Sequence, residues 1–193
     1  MATEEPPFTL VLQDGAFEVR AYPALLAAET TVAGDRGRAA NAGFRPLANF
    51  IFGAIVSRED IAMTAPVIQT PAAGGRTGES IAMTAPVTQT PVADAWVVRF
   101  IMPEGYTEQT LPRPTDPAVR IVTLPAMRMA VIRFSGLATP GALADQEAGL
   151  REAMARHGLS AAAGEQPTFA FYDPPWTPFF MRRNEIMIPL AET

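Results

Sequence analysis

At 193 residues, 48% of them hydrophobic, the chain is large enough to fold around its own core without cross-links. It has no Cys and a single His, which excludes disulfides, thiolate nucleophiles and clusters of strong N/S metal ligands. A formal net charge of −5 argues against broad nucleic-acid binding, which needs many phosphate-neutralising cations.

All 15 basic residues are Arg. A Schiff base is therefore impossible, and an anionic ligand group must be met by Arg, a backbone N–H or a hydroxyl. Residues 1–7, with Glu4, Glu5, Pro6 and Pro7, are expected to be flexible. The apolar run at 8–12 is too short for a signal-peptide core, and no window approaches the ~18 apolar residues of a membrane span. A soluble, cytoplasmic chain is the expectation.

In chain order, residues 8–33 read as two strands. In the first, Phe17, Val19 and Ala21 alternate with Glu18, Arg20 and Tyr22. Asp14-Gly15 marks a turn before it, and residues 25–32 form the second. Residues 35–53 read as helix, with Phe44, Leu47, Ala48 and Ile51 at i, i+3, i+4 and i+7. Pro46 predicts a kink, or a helix that restarts with Pro46 in its first turn. Gly53 ends it. Residues 61–71 (IAMTAPVIQTP) and 81–91 (IAMTAPVTQTP) are an internal repeat joined by a Gly-rich loop, which suggests a hairpin or two paired strands. Further strands are expected at 95–102, 119–124, 127–135, 169–172 and 184–190. A second helix begins with Thr139 as N-cap and Pro140 in its first position, buries Leu143, Leu150 and Met154, and closes at His157-Gly158. Each half thus has a helix after a pair of strands, and no βαβ alternation demands a parallel sheet. The fold class is α+β, an antiparallel barrel-like sheet with two helices and a hint of pseudo-twofold halves.

Several segments, in order, resemble one family. IAMTAPV at 61–67 and again at 81–87 looks like the SOUL signature. FEVRAY at 17–22, GFRPLANFIFG at 43–53, RPTDP at 113–117, VIRFSG at 131–136 and the run from YDPPWTP at 172–178 to RNEIMIP at 183–189 also match. The resemblance spans about residues 8 to 190. It implies a single SOUL-type haem-binding domain over 1–193: a distorted antiparallel β-barrel with two α-helices, resembling the gyrase-inhibitor-like fold. It also implies haem, or another porphyrin, bound in a surface hydrophobic cleft between the first helix and the C-terminal Pro/aromatic loop. Carried onto this chain, Phe44, Leu47, Ala48 and Ile51 wall one side. Trp176, Pro178, Phe179 and Phe180 wall the other.

A porphyrin is an apolar disc with two carboxylates on one edge, so a site needs an apolar slot with cations at its mouth. Arg45, Arg182 and Arg183 are the candidate propionate partners, although Arg182 or Arg183 could instead pair with Glu185 or Asp173. The loop aromatics serve either as ligand contacts or as core. His157 is the only His; it is an axial-ligand candidate but suits a helix cap better. Met63 and Met83, at matching places in the repeat, read as core fillers. Glu29, Glu59, Glu79 and Asp60 are the best carboxylates for acid/base work, but no spacing pairs them and no catalytic constellation stands out. The expected function is haem or tetrapyrrole binding as carrier, buffer or sensor, in a monomer without nucleic-acid partners. A tetrapyrrole-modifying enzyme and a sensor of other apolar molecules are the alternatives.

Overall fold

The computed structural model describes residues 5–53, 55–56, 81, 85–173 and 176–191. In chain order the elements are β1 (Thr9–Asp14), β2 (Phe17–Tyr22), β3 (Leu25–Ala33), α1 (Arg36–Ile51), β4 (Ile55–Val56), β5 (Val87–Val92), β6 (Ala95–Ile101) and β7 (Arg113–Pro114). Then come β8 (Arg120–Leu124), β9 (Met127–Phe134), α2 (Pro140–Arg156), β10 (Thr168–Phe171), a 3-10 turn (Phe179–Met181) and β11 (Asn184–Pro189).

Nine of the strands form one curled antiparallel sheet, in the order β1-β2-β9-β11-β10-β5-β6-β3-β8; β4 and β7 pair with each other. The order is symmetric about the β10–β5 boundary. Outward from it run β5, β6, β3, β8 on one side and β10, β11, β9, β2 on the other. The chain follows strand-strand-helix-strand-strand twice, as β2-β3-α1-β5-β6 and β8-β9-α2-β10-β11. The expected pseudo-twofold halves are therefore present, and they are interlocked. The leading strand of each half is exchanged, so that β2 pairs with β9 and β8 pairs with β3.

Both helices lie on one face of the sheet. Beneath α2, Phe17, Val19, Ala130, Ile186 and Ile188 pack with Leu143, Leu150 and Met154. Beneath α1, Ala28, Val98 and Phe100 pack with Leu47, Phe50 and Ile51. Truncating a residue such as Leu150 to Ala would cost about 2–5 kcal/mol, lost transfer energy plus a cavity. α1 sits so close to the sheet that a Cβ on Gly43 would lie 2.6 Å from Cγ2 of Val98.

The helix boundaries follow their caps. The Asp35 carboxylate accepts from the Arg38 amide at 3.0 Å, and the Thr139 hydroxyl accepts from the Ala142 amide at 3.2 Å. α1 does not restart at Pro46; it is one 16-residue helix with Pro46 inside. The Ala42 carbonyl loses its donor there, but Ala42 is exposed and water can replace the bond. Residues 8–33 contain three strands rather than two. The Asp14-Gly15 turn, with Gly15 at φ +62°, joins β1 to β2 as a hairpin. Of the repeat, 61–71 and 82–84 lie outside the described residues, and with them Met63, Met83, Glu59, Asp60 and Glu79. The rest of the second copy leads into β5 at the centre of the sheet. Among the described residues, no helix is long and apolar enough to cross a membrane.

Candidate functional site

The loop from β10 to β11 carries an apolar surface. Trp176 is 81% exposed, Phe179 55%, Phe180 65% and Met181 65%. Phe179 and Phe180 meet edge to face at 5.6 Å. The loop is fixed at its base rather than packed into the core. The Gly136 amide donates to the Phe179 carbonyl at 3.0 Å, the Asn184 side chain donates to the Gly136 carbonyl at 3.0 Å, and Arg182 Nε donates to the Thr177 carbonyl at 2.8 Å. Leu137, 53% exposed and next to Gly136, extends the patch. Five large apolar side chains left exposed on one loop and on the segment hydrogen-bonded to it mark a candidate interaction surface.

α1 reaches the same neighbourhood through its first residue. Arg36 donates to the Ala138 carbonyl at 2.6 Å and stands over the Phe171 ring at 5.6 Å. The expected α1 residues divide by depth. Leu47 and Ile51 are fully buried in the core and have no surface to offer a ligand, and Ala48 is half-buried. Phe44 is 40% exposed, edge-on to Phe100 at 5.3 Å, and Arg45 is exposed beside it.

The opposite face of the sheet holds a buried ionic network. Arg20, 1% exposed, donates to Glu185 through Nη1 at 2.8 Å and Nη2 at 3.0 Å, and through Nε to Glu18 at 2.6 Å. Tyr172 donates its hydroxyl to Glu185 at 2.6 Å. Arg183 donates to Glu185 through Nε at 3.0 Å and Nη2 at 2.8 Å, reaches Glu5 at 2.8 Å, and lies over the Tyr172 ring at 3.9 Å. Arg183, expected as a propionate partner, is thus engaged on three sides. The Arg183 amide also donates to Asp173 at 2.6 Å.

Burial acts to raise the Glu185 carboxyl, but the hydrogen bonds and charge of Arg20, with Tyr172 and Arg183, outweigh it and hold the pKa below the usual carboxylate range. Burial, reinforced by Glu185, pushes the Tyr172 phenol well up. Burial likewise raises Tyr22 against the opposing pull of Arg20. On the same face, Glu29, 6% exposed, pairs with Arg99 at 2.8 Å and Arg120 at 2.9 Å. Glu29 is therefore not the solvated carboxylate that residue type alone suggests.

A family model described as SOUL heme-binding protein matches residues 3–189. The chain belongs to this family. Haem binding is thereby shown at the level of the family. No curated protein matches the sequence. Among solved structures, the C-terminal domain of EcmrR is similar at 10% identity and TM-score 0.63, over 92% of this chain and 98% of that one. A hydrolase from Listeria innocua is similar at 12% identity and TM-score 0.56, over 99% and 94%. Likeness at such identity is of fold alone, and it agrees with the α+β, gyrase-inhibitor-like architecture.

Haem requires an apolar face, cations for two propionates and, for strong ligation, an axial donor. The patch of this SOUL protein supplies the first in Trp176, Phe179, Phe180 and Leu137. Pro178 is exposed beside them. The other two expected cations are Arg182, which is bonded to the Thr177 carbonyl, and Arg45, which is exposed on α1. The patch also holds the thioether of Met181, an iron-ligand type. His157 is elsewhere. It caps the far end of α2, a 17-residue helix about 25 Å long that starts beside Ala138. There it stacks on Phe17 at 5.2 Å, and its Nε2 lies 3.1 Å from Asp14. Among the described residues, no group of three or more His, Asp or Glu could hold a metal ion. Leu137 and Met181 are additions to the residues expected from sequence. Their signal was local: each is a large apolar residue in a loop, flanked by Gly136 or by Arg182.

Proposed function

We propose that the chain binds haem, or a related tetrapyrrole, flat against the exposed aromatic surface of the β10–β11 loop, as a carrier or buffer. The observation that supports this most is the patch itself: five large apolar side chains, 53–81% exposed, on one anchored loop and its neighbour Leu137. Family membership supplies the ligand class. Trp176, Phe179 and Phe180 give the disc a stacking surface, Leu137 and Pro178 border it, and Arg182 lies within the loop to meet a propionate. From α1, Phe44 and Arg45 enter this reading, with Ala48 at the margin. Leu47 and Ile51 support α1 from below. Apolar contact without a His ligand holds haem loosely, which suits transfer to another site better than permanent storage.

Titration with hemin, followed at the Soret band, tests the reading. A saturable 1:1 shift that disappears in a Trp176→Ala, Phe180→Ala double variant supports it. A linear, non-saturating response equal in both proteins would overturn it. Time-dependent loss of the Soret band would replace binding with tetrapyrrole modification.

A further inference from the structure

Arg36 is placed at a cost that no acid among the described residues offsets. It is the first residue of α1, where the partial positive charge of the helix N-terminus disfavours a cation. Its side chain is half-buried, and burial lowers its pKa with no acid to oppose the shift. The neighbouring carboxylate, Asp35, turns instead to the Arg38 amide at 3.0 Å and the Arg38 guanidinium at 3.3 Å. The polar contacts of Arg36 are the Ala138 carbonyl at 2.6 Å and the Phe171 ring at 5.6 Å. A guanidinium carries five N–H donors, so most of them remain, and the charge is not neutralised. By contrast, Arg20 and Arg183 share Glu185, and Arg99 meets Glu29.

Arg36 also stands at the edge of the exposed aromatic surface. Its acceptor, Ala138, follows Leu137, which is 53% exposed. Just before Leu137, the Gly136 amide is bonded to the Phe179 carbonyl at 3.0 Å. Gly136 and Ala138 are separated by at most about 7 Å of chain, which brings the guanidinium within reach of a group carried on the rim of a disc on this loop. A carboxylate there would offset the charge, the burial and the opposed helix dipole at once, and the guanidinium fork matches its two oxygens.

We propose that Arg36 is the carboxylate anchor of the tetrapyrrole surface, so that the site selects macrocycles with a free acid on one edge over esterified ones. The inference rests on the haem reading and adds what decides between ligands: the aromatic loop reads the disc, and Arg36 reads its edge. Hemin and hemin dimethyl ester share disc and iron and differ only in the carboxylates. Both are titrated at the Soret band against the full chain, Arg36→Gln and Trp176→Ala. Wild type should bind the ester roughly tenfold or more weakly than hemin. Arg36→Gln should lose roughly tenfold or more for hemin and change less than twofold for the ester, so that the two losses do not add. Trp176→Ala should weaken both ligands alike. Equal wild-type affinity for hemin and its ester, hemin affinity within twofold in Arg36→Gln, or an equal loss for both ligands in that variant would each overturn the anchor. The last result would mean that Arg36 only ties α1 to the start of α2. Any of these with Trp176→Ala still impaired leaves the haem surface standing. A Trp176→Ala variant unchanged toward both ligands removes the surface, and the anchor with it.

Discussion

Truncating Trp176 to Ala separates ligand binding from folding, because this side chain is 81% exposed and contributes almost nothing to the core. A Trp side chain can bury roughly 150–250 Å². A planar ligand covers one face of the exposed portion, on the order of 60–100 Å². At about 25 cal/mol per Å² this is worth about 1.5–2.5 kcal/mol. The dissociation constant for hemin should therefore rise roughly ten- to seventyfold. Thermal stability should stay within about 0.5 kcal/mol of wild type, as for other surface substitutions. The assay is a hemin titration by Soret absorbance beside a melting curve on the same samples. Leu10→Ala, at an exposed site on β1, serves as a control for non-specific adsorption and should leave affinity unchanged. Affinity within twofold of wild type in Trp176→Ala, with an intact melting transition, would refute the placement of haem on this loop. Leu47→Asp is a poor probe of the same idea, since Leu47 is fully buried and the substitution would test the fold.

His157→Ala should leave the hemin Soret band in place, because His157 caps the far end of α2; a lost or shifted band would place the ligand elsewhere. Glu185→Ala leaves Arg20 and Arg183 facing an uncompensated site and should cost about 3–5 kcal/mol in denaturant unfolding. The pH dependence follows from the same carboxylate. Its folded pKa lies below its unfolded value of about 4.5, so its contribution is present above that pH and is lost as pH falls through the folded pKa. Acid unfolding should be shallower in Glu185→Gln than in wild type. Tyr22 and Tyr172 have the opposite sign: their raised folded values give stability that is whole below about pH 10 and is lost as pH rises beyond it. Phenolate absorbance should therefore lag behind that of free tyrosine, then appear together with alkaline unfolding. Gln89, 3% exposed, has a side-chain carbonyl without a hydrogen-bond partner among the described residues. Gln89→Met should raise stability by about 1 kcal/mol.

Much of the fold was legible because it rests on local rules. The Thr139-Pro140 start and the His157-Gly158 end of α2 stand where the capping residues put them. The doubled strand-strand-helix-strand-strand order was visible in the sequence, and the sheet repeats it. The exchange of β2 and β8 between halves was not, since pairing partners depend on how the sheet closes rather than on any one segment. β1 was missed although Asp14-Gly15 is a hairpin signal. Its outer residues, Leu10 and Val11, are half exposed and do not alternate between a polar and an apolar face.

The candidate site was legible in type and less so in depth. Phe44, Leu47, Ala48 and Ile51 share the apolar stripe of α1, but a stripe says only that a face is apolar, not whether protein or ligand covers it. The core claims Leu47 and Ile51 first. The β2 pattern hid a larger surprise. Glu18, Arg20 and Tyr22 alternate with Phe17, Val19 and Ala21, which reads as a solvated face opposite a core face. In a curled sheet that second face turns inward, and β2 is buried on both sides at most positions.

That inward face bears on where a macrocycle could sit. The hollow of a curled sheet is an obvious chamber for a ligand, yet here Arg20, Glu185, Tyr22, Tyr172 and Arg183 occupy it, with Phe8 over the Arg20 guanidinium. Both oxygens of Glu185 accept from partners, and the residue is fully buried. Admitting a disc would separate charges that have no water to return to, at several kcal/mol for each broken partner. The β10–β11 loop asks for none of this. Its aromatic side chains already face solvent, its base is already bonded to Gly136 and Thr177, and covering it removes apolar area from water without disturbing the core. The cheaper route for a flat, greasy ligand is the outer surface, and the ionic filling of the hollow is what makes it so.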